Sequence, residues 1–161
     1  MDIRIVDFCP EHYDTMPLRA EDAADLAGIE RRFLVKTWEG GHTVLYNGEP
    51  AFFYGGWMDA GCGMLWAVSS PLADRLPLLV VKIGRQVVRQ FLAAGCHRIE
   101  AYCHTHNAKS LQWLTRSLGF SVEGVARKSG PNAQDRFVLS VVADKESGRR
   151  GVDLFTVSCG V

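Results

Sequence analysis

An α/β domain built on one mixed sheet is the fold class that the sequence predicts, and three observations predict it. Extended and helical signals follow one another in the order β, α, α, β, β, β, α, β, α, β, β, which gives seven strands and four helices. Asn47-Gly48, set between two apolar runs, marks a tight hairpin, because both residues tolerate positive φ; part of the sheet is therefore antiparallel. A long amphipathic helix separates the extended runs 63–69 and 98–103, and a crossover of that length links parallel neighbours. Helices interleaved in this way cover a sheet rather than pack on one another.

Residues 2–8 read as the first strand, ended by Pro10. The segment 11–33 is rich in helix formers and breaks into two pieces near Pro17; its acidic residues suit a helix N-terminus. Gly40-Gly41 turns the chain into three extended runs, at 42–46, 51–57 and 63–69, the last two joined through Asp59-Ala60-Gly61. The next helix runs from about Pro71 or Asp74 to Ala94, with Val80, Ile83, Val87 and Phe91 on one face, and stops at Gly95. A strand at 98–103, a helix opened by Asn107, and strands at 120–127 and 136–142 around the polar Ser129-Gly130-Pro131-Asn132 loop complete the order. Residues 1–143 form a single domain in this reading, and 144–161 a tail or an extra strand.

Composition narrows the partners. Eighteen basic residues balance eighteen acidic ones with no long run of one sign, which gives no electrostatic reason to expect nucleic acid or a membrane surface. No run of about 18 apolar residues is present, and Met1-Asp2-Ile3-Arg4 does not open a secretory signal. Five cysteines, odd in number and without a C-x-x-C pair, point to reduced thiols and a cytoplasmic setting.

The richest stretch is 104–124, HTHNAKSLQWLTRSLGFSVEG. Asn107 is placed to cap a helix, Leu111, Leu114 and Leu118 form its apolar stripe, and Gly119 is its left-handed stop, with Phe120 folding back onto Leu114 or Leu118. An Asn-capped helix ending in Leu-Gly-Phe and followed by Glu123-Gly124 resembles the C-terminal half of the GNAT (GCN5-related N-acetyltransferase) superfamily, and the order of elements coincides with that family's. The resemblance implies a mostly antiparallel central sheet with helices on both faces and a parallel pair in its middle, splayed at the C-terminal ends. It also implies an acyl-CoA, acetyl-CoA first among them, as co-substrate, and a small-molecule or protein amine as acceptor. The cofactor would lie against Ala67, Val68, Ser69, Leu72, Ala73, Arg75, Asn107 and Ser110, with Asn107 and Ser110 beside its pantetheine arm.

The sequence departs from the family pattern at three points. Asn107 and Gly119 are twelve positions apart where the family has eleven, so the helix or its cap is one residue longer. Where many members place a Tyr that protonates the departing thiolate, this chain has Trp113 and Leu114, neither an acid. The family's pyrophosphate loop is rich in glycine, whereas residues 69–77 contain none; Pro71 and Pro77 remove N–H donors and Asp74 adds an anion.

For the base that acyl transfer requires, alternation along the 98–103 strand puts Glu100 and His104 on one face with Tyr102, as candidate bases or simply as a solvated strand face. Cys103, His104 and His106 are ligand types for zinc, but alternation turns Cys103 away from the two histidines and four converging ligands are not in sight, so no metal is expected. A narrower resemblance, carried by Met16-Pro17-Leu18-Arg19-Ala20-Glu21-Asp22, by Trp66 with Val68-Ser69-Ser70, and by Trp113-Leu114 with Leu118-Gly119-Phe120, is to small GNAT-like proteins of tailed bacteriophages, some virion-associated. It implies host cytoplasm or virion as the location, a weakened phosphate loop, and a homodimer or a phage protein as partner, with a non-catalytic role as the alternative to transfer.

Overall fold

The computed structural model describes residues 2–143; the segment 144–161, read above as a tail or extra strand, lies outside the described residues. Seven strands form one sheet in the order β1-β2-β3-β4-β5-β7-β6. They are β1 (Ile3–Asp7), β2 (His42–Tyr46), β3 (Glu49–Asp59), β4 (Cys62–Ser69), β5 (Arg98–His104), β6 (Ser121–Ala126) and β7 (Arg136–Val142). Every neighbouring pair is antiparallel except β4 and β5, which run parallel in the middle of the sheet. The β2–β3 hairpin turns at Asn47 and Gly48, both at positive φ as their sequence requires.

The helical segment before β2 differs from expectation. It forms three helices, α1 (Pro10–Thr15), α2 (Ala20–Leu26) and α3 (Arg31–Trp38), because the chain breaks a second time at Gly28, where φ is +82°. The extra length of α3 buries Trp38, which packs with Met16, Leu34, Phe53 and Val68 on one face of the sheet. The long crossover also starts later than expected. Residues Pro71–Arg75 make a separate 3₁₀ turn, the backbone breaks at Leu76, and α4 runs Pro77–Ala93 with the proline at its first position, where a missing N–H costs nothing.

The opposite face of the sheet carries α4 and α5 (Ala108–Gln112). Alternate residues of β3 divide between the two layers, Phe52 and Tyr54 packing with Ala73, Leu76 and Ile83, and Phe53 with the α1–α3 layer. Farther along, Val88 and Phe91 of α4 meet Ile99, Ala101, Cys103, Leu114, Leu118, Phe120 and Leu139. Gly84 lets α4 approach the α5 segment, since a Cβ there would stand 2.8 Å from both Leu118 and Trp113. Among the described residues no helix is long and apolar enough to cross a membrane.

Candidate functional site: a cavity between parted strands

β4 and β5 pair over only three positions, Cys62 with Arg98, Gly63 with Ile99 and Met64 with Glu100. Beyond them β4 stays with β3 as far as Ser69 opposite Phe52, while β5 stays with β7 as far as His104 opposite Arg136. Among the described residues, therefore, β4 has a strand on one side only from Leu65 to Ser69. The opening is continuous with a cavity of about 530 Å³. Its walls are Leu65, Ala67 and Ser69 of β4, Ala101, Tyr102 and Cys103 of β5, Val80, Gly84 and Val87 of α4, and Asn107, Ser110, Trp113 and Leu114 of the segment that follows β5.

Five of the eight residues expected at an acyl-CoA line this cavity: Ala67, Ser69, Ala73, Asn107 and Ser110. Val68 points to the other face, into the layer of Trp38 and Phe53. Leu72 packs beside Ala73 and Leu76, and Arg75 is exposed at the end of the 3₁₀ turn. That turn is fixed by Ser70, whose buried hydroxyl accepts from the Leu72 N–H at 3.2 Å and donates to the Ala51 carbonyl at 2.9 Å. Asp74 does not stand alone: Lys109 approaches it to 2.5 Å and Arg19 to 3.8 Å, so ion pairs link the 3₁₀ turn to α5 and α2 at the cavity wall.

Asn107 is fully buried and makes two bonds. Its Oδ1 accepts from the Ser110 N–H at 3.1 Å, capping α5, and its Nδ2 donates to Asp25 Oδ2 at 2.9 Å. Asp25 comes from α2, which is held over the end of β4 by the Arg19 N–H on the Ser69 carbonyl and over the 128–135 loop by Asn132 Nδ2 on the Ala27 carbonyl. Its other oxygen, Oδ1, lies 2.9 Å from His106 Nε2 and 3.6 Å from His104 Nδ1. Sequence reasoning gave no site role to Asp25, Arg19 or Lys109, because their partners at the cavity, His104, His106, Asn107 and Asp74, lie far away in the sequence.

Glu100 and His104 are not among the cavity-lining residues. Glu100 gives its carboxylate to Arg98 of its own strand. His104 turns to Asp25, and burial pushes its imidazole toward the neutral form, opposed by that carboxylate. Burial, reinforced by Asp25 and Asp22, pushes the Cys103 thiol up to about 12, which keeps it protonated and unreactive. Asp22 is pushed up as well, burial outweighing its 2.8 Å pair with Arg19.

The helix behind Asn107 explains the twelve-residue spacing. α5 continues into a single π turn at Trp113–Ser117, with the Leu118 N–H reaching the Trp113 carbonyl, so one extra residue is accommodated within the helix. The segment closes through the Phe120 N–H on the Leu114 carbonyl at 3.0 Å, with Gly119 at φ +81° as its stop. Trp113, at the start of the π turn, lines the cavity, and its indole N–H is buried without a hydrogen-bond partner among the described residues.

Solved structures share this fold. The chain is similar to the ribosomal-protein-S18-alanine N-acetyltransferase from Escherichia coli, with a TM-score of 0.66 at 14% identity over 90% of this chain and 98% of that one. It is similar to a GNAT-family acetyltransferase from Bacillus anthracis, with a TM-score of 0.62 at 15% identity over 87% and 94%. It is also similar to yncA from Salmonella typhimurium, solved with its cofactor acetyl-CoA, with a TM-score of 0.62 at 16% identity over 94% and 100%. No protein-family model matches the chain, and no curated protein matches it. At these identities the likeness is one of fold: the sheet, its parallel pair and the flanking helices are those of the GNAT fold.

Proposed function

We propose that the protein is an acyl-CoA-dependent N-acyltransferase, with acetyl-CoA as the first co-substrate to test and a small-molecule or protein amine as acceptor. The observation that carries this reading is the parting of β4 from β5 after Met64 and Glu100, which opens an apolar-walled cavity beside an unpaired strand edge. An extended arm carrying amides completes the ladder there, bonding to the backbone groups of Ala67 and to the Ser69 N–H, which face away from β3, while Val68 between them bonds to β3. Asn107 and Ser110 lie across from that edge, and the indole N–H of Trp113 supplies a donor to a carbonyl of the ligand. Leu72, Ala73 and Arg75 adjoin the phosphates, where Arg75 and Lys109 offer positive charge and Asp74 opposes it.

In the transfer step the amine nitrogen attacks the thioester carbonyl, the C–N bond forms, and the tetrahedral oxyanion collapses with loss of the CoA thiolate. With Glu100 held by Arg98 and His104 turned to Asp25, the amine proton leaves through water in the cavity. The test is calorimetric titration with acetyl-CoA and longer acyl-CoAs, followed by release of free thiol in the presence of amines. Binding that weakens in Trp113→Phe and Asn107→Ala, together with amine-dependent thiol release, supports the reading. Absence of binding rejects it.

A second reading has its own observation. The Lys109–Asp74–Arg19 ion pairs at the cavity wall and the proline-bounded 3₁₀ turn at Pro71–Arg75 are features of a cleft that keeps the fold without turnover, as in a GNAT-fold phage protein acting through protein contacts. Binding without any amine-dependent thiol release favours this reading.

A further inference from the structure

We propose that Asp25, His104 and His106 form a binding site for a divalent transition-metal ion at the wall of the cavity, a reading that does not rest on acyl transfer. One ligand atom of each, Asp25 Oδ1, His104 Nδ1 and His106 Nε2, lies within 4.8 Å of both others. A tetrahedral ion with metal–ligand bonds of about 2.0–2.1 Å holds its ligands roughly 3.3–3.4 Å apart. The Asp25–His106 and Asp25–His104 separations, 2.9 and 3.6 Å, bracket that value.

The polar bonding around these atoms is otherwise incomplete. Asp25 Oδ1 and His104 Nδ1 are buried and have no hydrogen-bond partner among the described residues, so the short approach of His106 is not aligned as a hydrogen bond. His104 is nine-tenths buried, and an unsatisfied imidazole nitrogen at that depth costs free energy that a coordinated cation offsets. Asp25 Oδ2 is oriented by Asn107 Nδ2, the kind of outer partner that fixes a ligating carboxylate. His106, with 41% of its side chain exposed, provides the path from solvent.

The donor set decides the class of ion. Two imidazoles and one carboxylate suit zinc, cobalt, nickel or copper, whereas calcium and magnesium call for oxygen ligands. Cys103 takes no part, since its thiol is directed at the His104 and Asn107 carbonyls. Three protein ligands leave a coordination position open, and the bound ion ties α2 to the turn between β5 and α5.

The experiment is calorimetric titration of the chelator-stripped full chain with Zn²⁺, and absorption spectroscopy with Co²⁺, without any CoA ligand. The expected results are saturable binding of one ion, a rise in thermal midpoint with added Zn²⁺, and Co²⁺ ligand-field bands with no thiolate charge transfer. Affinity falls by more than about 100-fold in His106→Ala, an exposed position that leaves the core intact, and likewise in Asp25→Asn, which keeps the side-chain volume. It is unchanged in Cys62→Ser, which removes the thiol standing 3.6 Å from His97 and the competing surface site. Absence of binding, undiminished binding in His106→Ala or Asp25→Asn, or a thiolate band would overturn the proposal.

Discussion

Gly119 stops its helix at φ +81°, yet a Cβ there would meet nothing within 4 Å among the described residues, so the requirement for glycine lies in the backbone. Gly119→Ala is therefore expected to cost about 1–2 kcal/mol and Gly119→Val more, with Gly119→Asn the mildest of the three, as measured by urea denaturation. Asn107 offers the opposite case, a side chain serving two partners at once. Asn107→Ala loses the cap and leaves Asp25 Oδ2 without its donor, and should destabilise by about 2 kcal/mol. Asn107→Asp keeps the acceptor for Ser110 but sets a second carboxylate against Asp25, so it should melt no higher than the alanine variant. The capping role of Asn107 and the stop at Gly119 were legible in the sequence because their reach is three or four residues. Its bond to Asp25 spans 82 positions and has no local signature.

At the scale of elements, the π turn at Trp113–Ser117 predicts that the segment tolerates a shortening that other helices will not. Deletion of Thr115 restores an ordinary α-helical repeat and the eleven-residue spacing, so that protein should still unfold cooperatively, whereas deletion of Arg85 within α4 rotates every following core residue and should abolish the transition. The strands and the hairpin were legible in the sequence because alternation and Asn-Gly are local. The second break before β2 was not, since Gly28 lies in a run of good helix formers, and the late start of α4 was missed because Pro71 and Pro77 both suit a helix start. A further element-scale device crosses three strands: Arg98 of β5 forks onto Glu123 of β6, which also accepts from Ser140 of β7 at 2.6 Å. Arg98 first, then Ser140, hold the Glu123 carboxyl down at about 2. A carboxylate depressed in the folded state adds stability above its unfolded value of about 4.3, and that stability is lost as pH falls through about 2. The gap in stability between the parent and Glu123→Gln should therefore narrow between about pH 5 and pH 2, read from urea midpoints across that range.

For the molecule as a whole, one sheet separates two layers, yet its hydrogen-bonded ladder is interrupted beyond Met64 and Glu100. Four strands stand on one side of the interruption and three on the other, joined by three residue pairs and by α4. The mixed sheet with its parallel pair was legible at this scale because element order and the crossover rule leave few arrangements, and its likeness to the GNAT fold was carried by the resemblance of the 104–124 stretch. The position of α2 over the end of β4 was not, since it depends on contacts between distant segments such as the Asn132 bond to the Ala27 carbonyl. Amide protons report the interruption directly. In hydrogen–deuterium exchange, those of Leu65 to Ser69 that face away from β3 should exchange much faster than those bonded to it, and acetyl-CoA should slow them selectively. Unchanged rates at saturating ligand would place any bound ligand elsewhere. Such an edge reads the rhythm of donors and acceptors before it reads any side chain. Under the proposed function, the first sieve on what enters this protein is thus the spacing of amides along an extended molecule, and only the second is the chemistry at its tip.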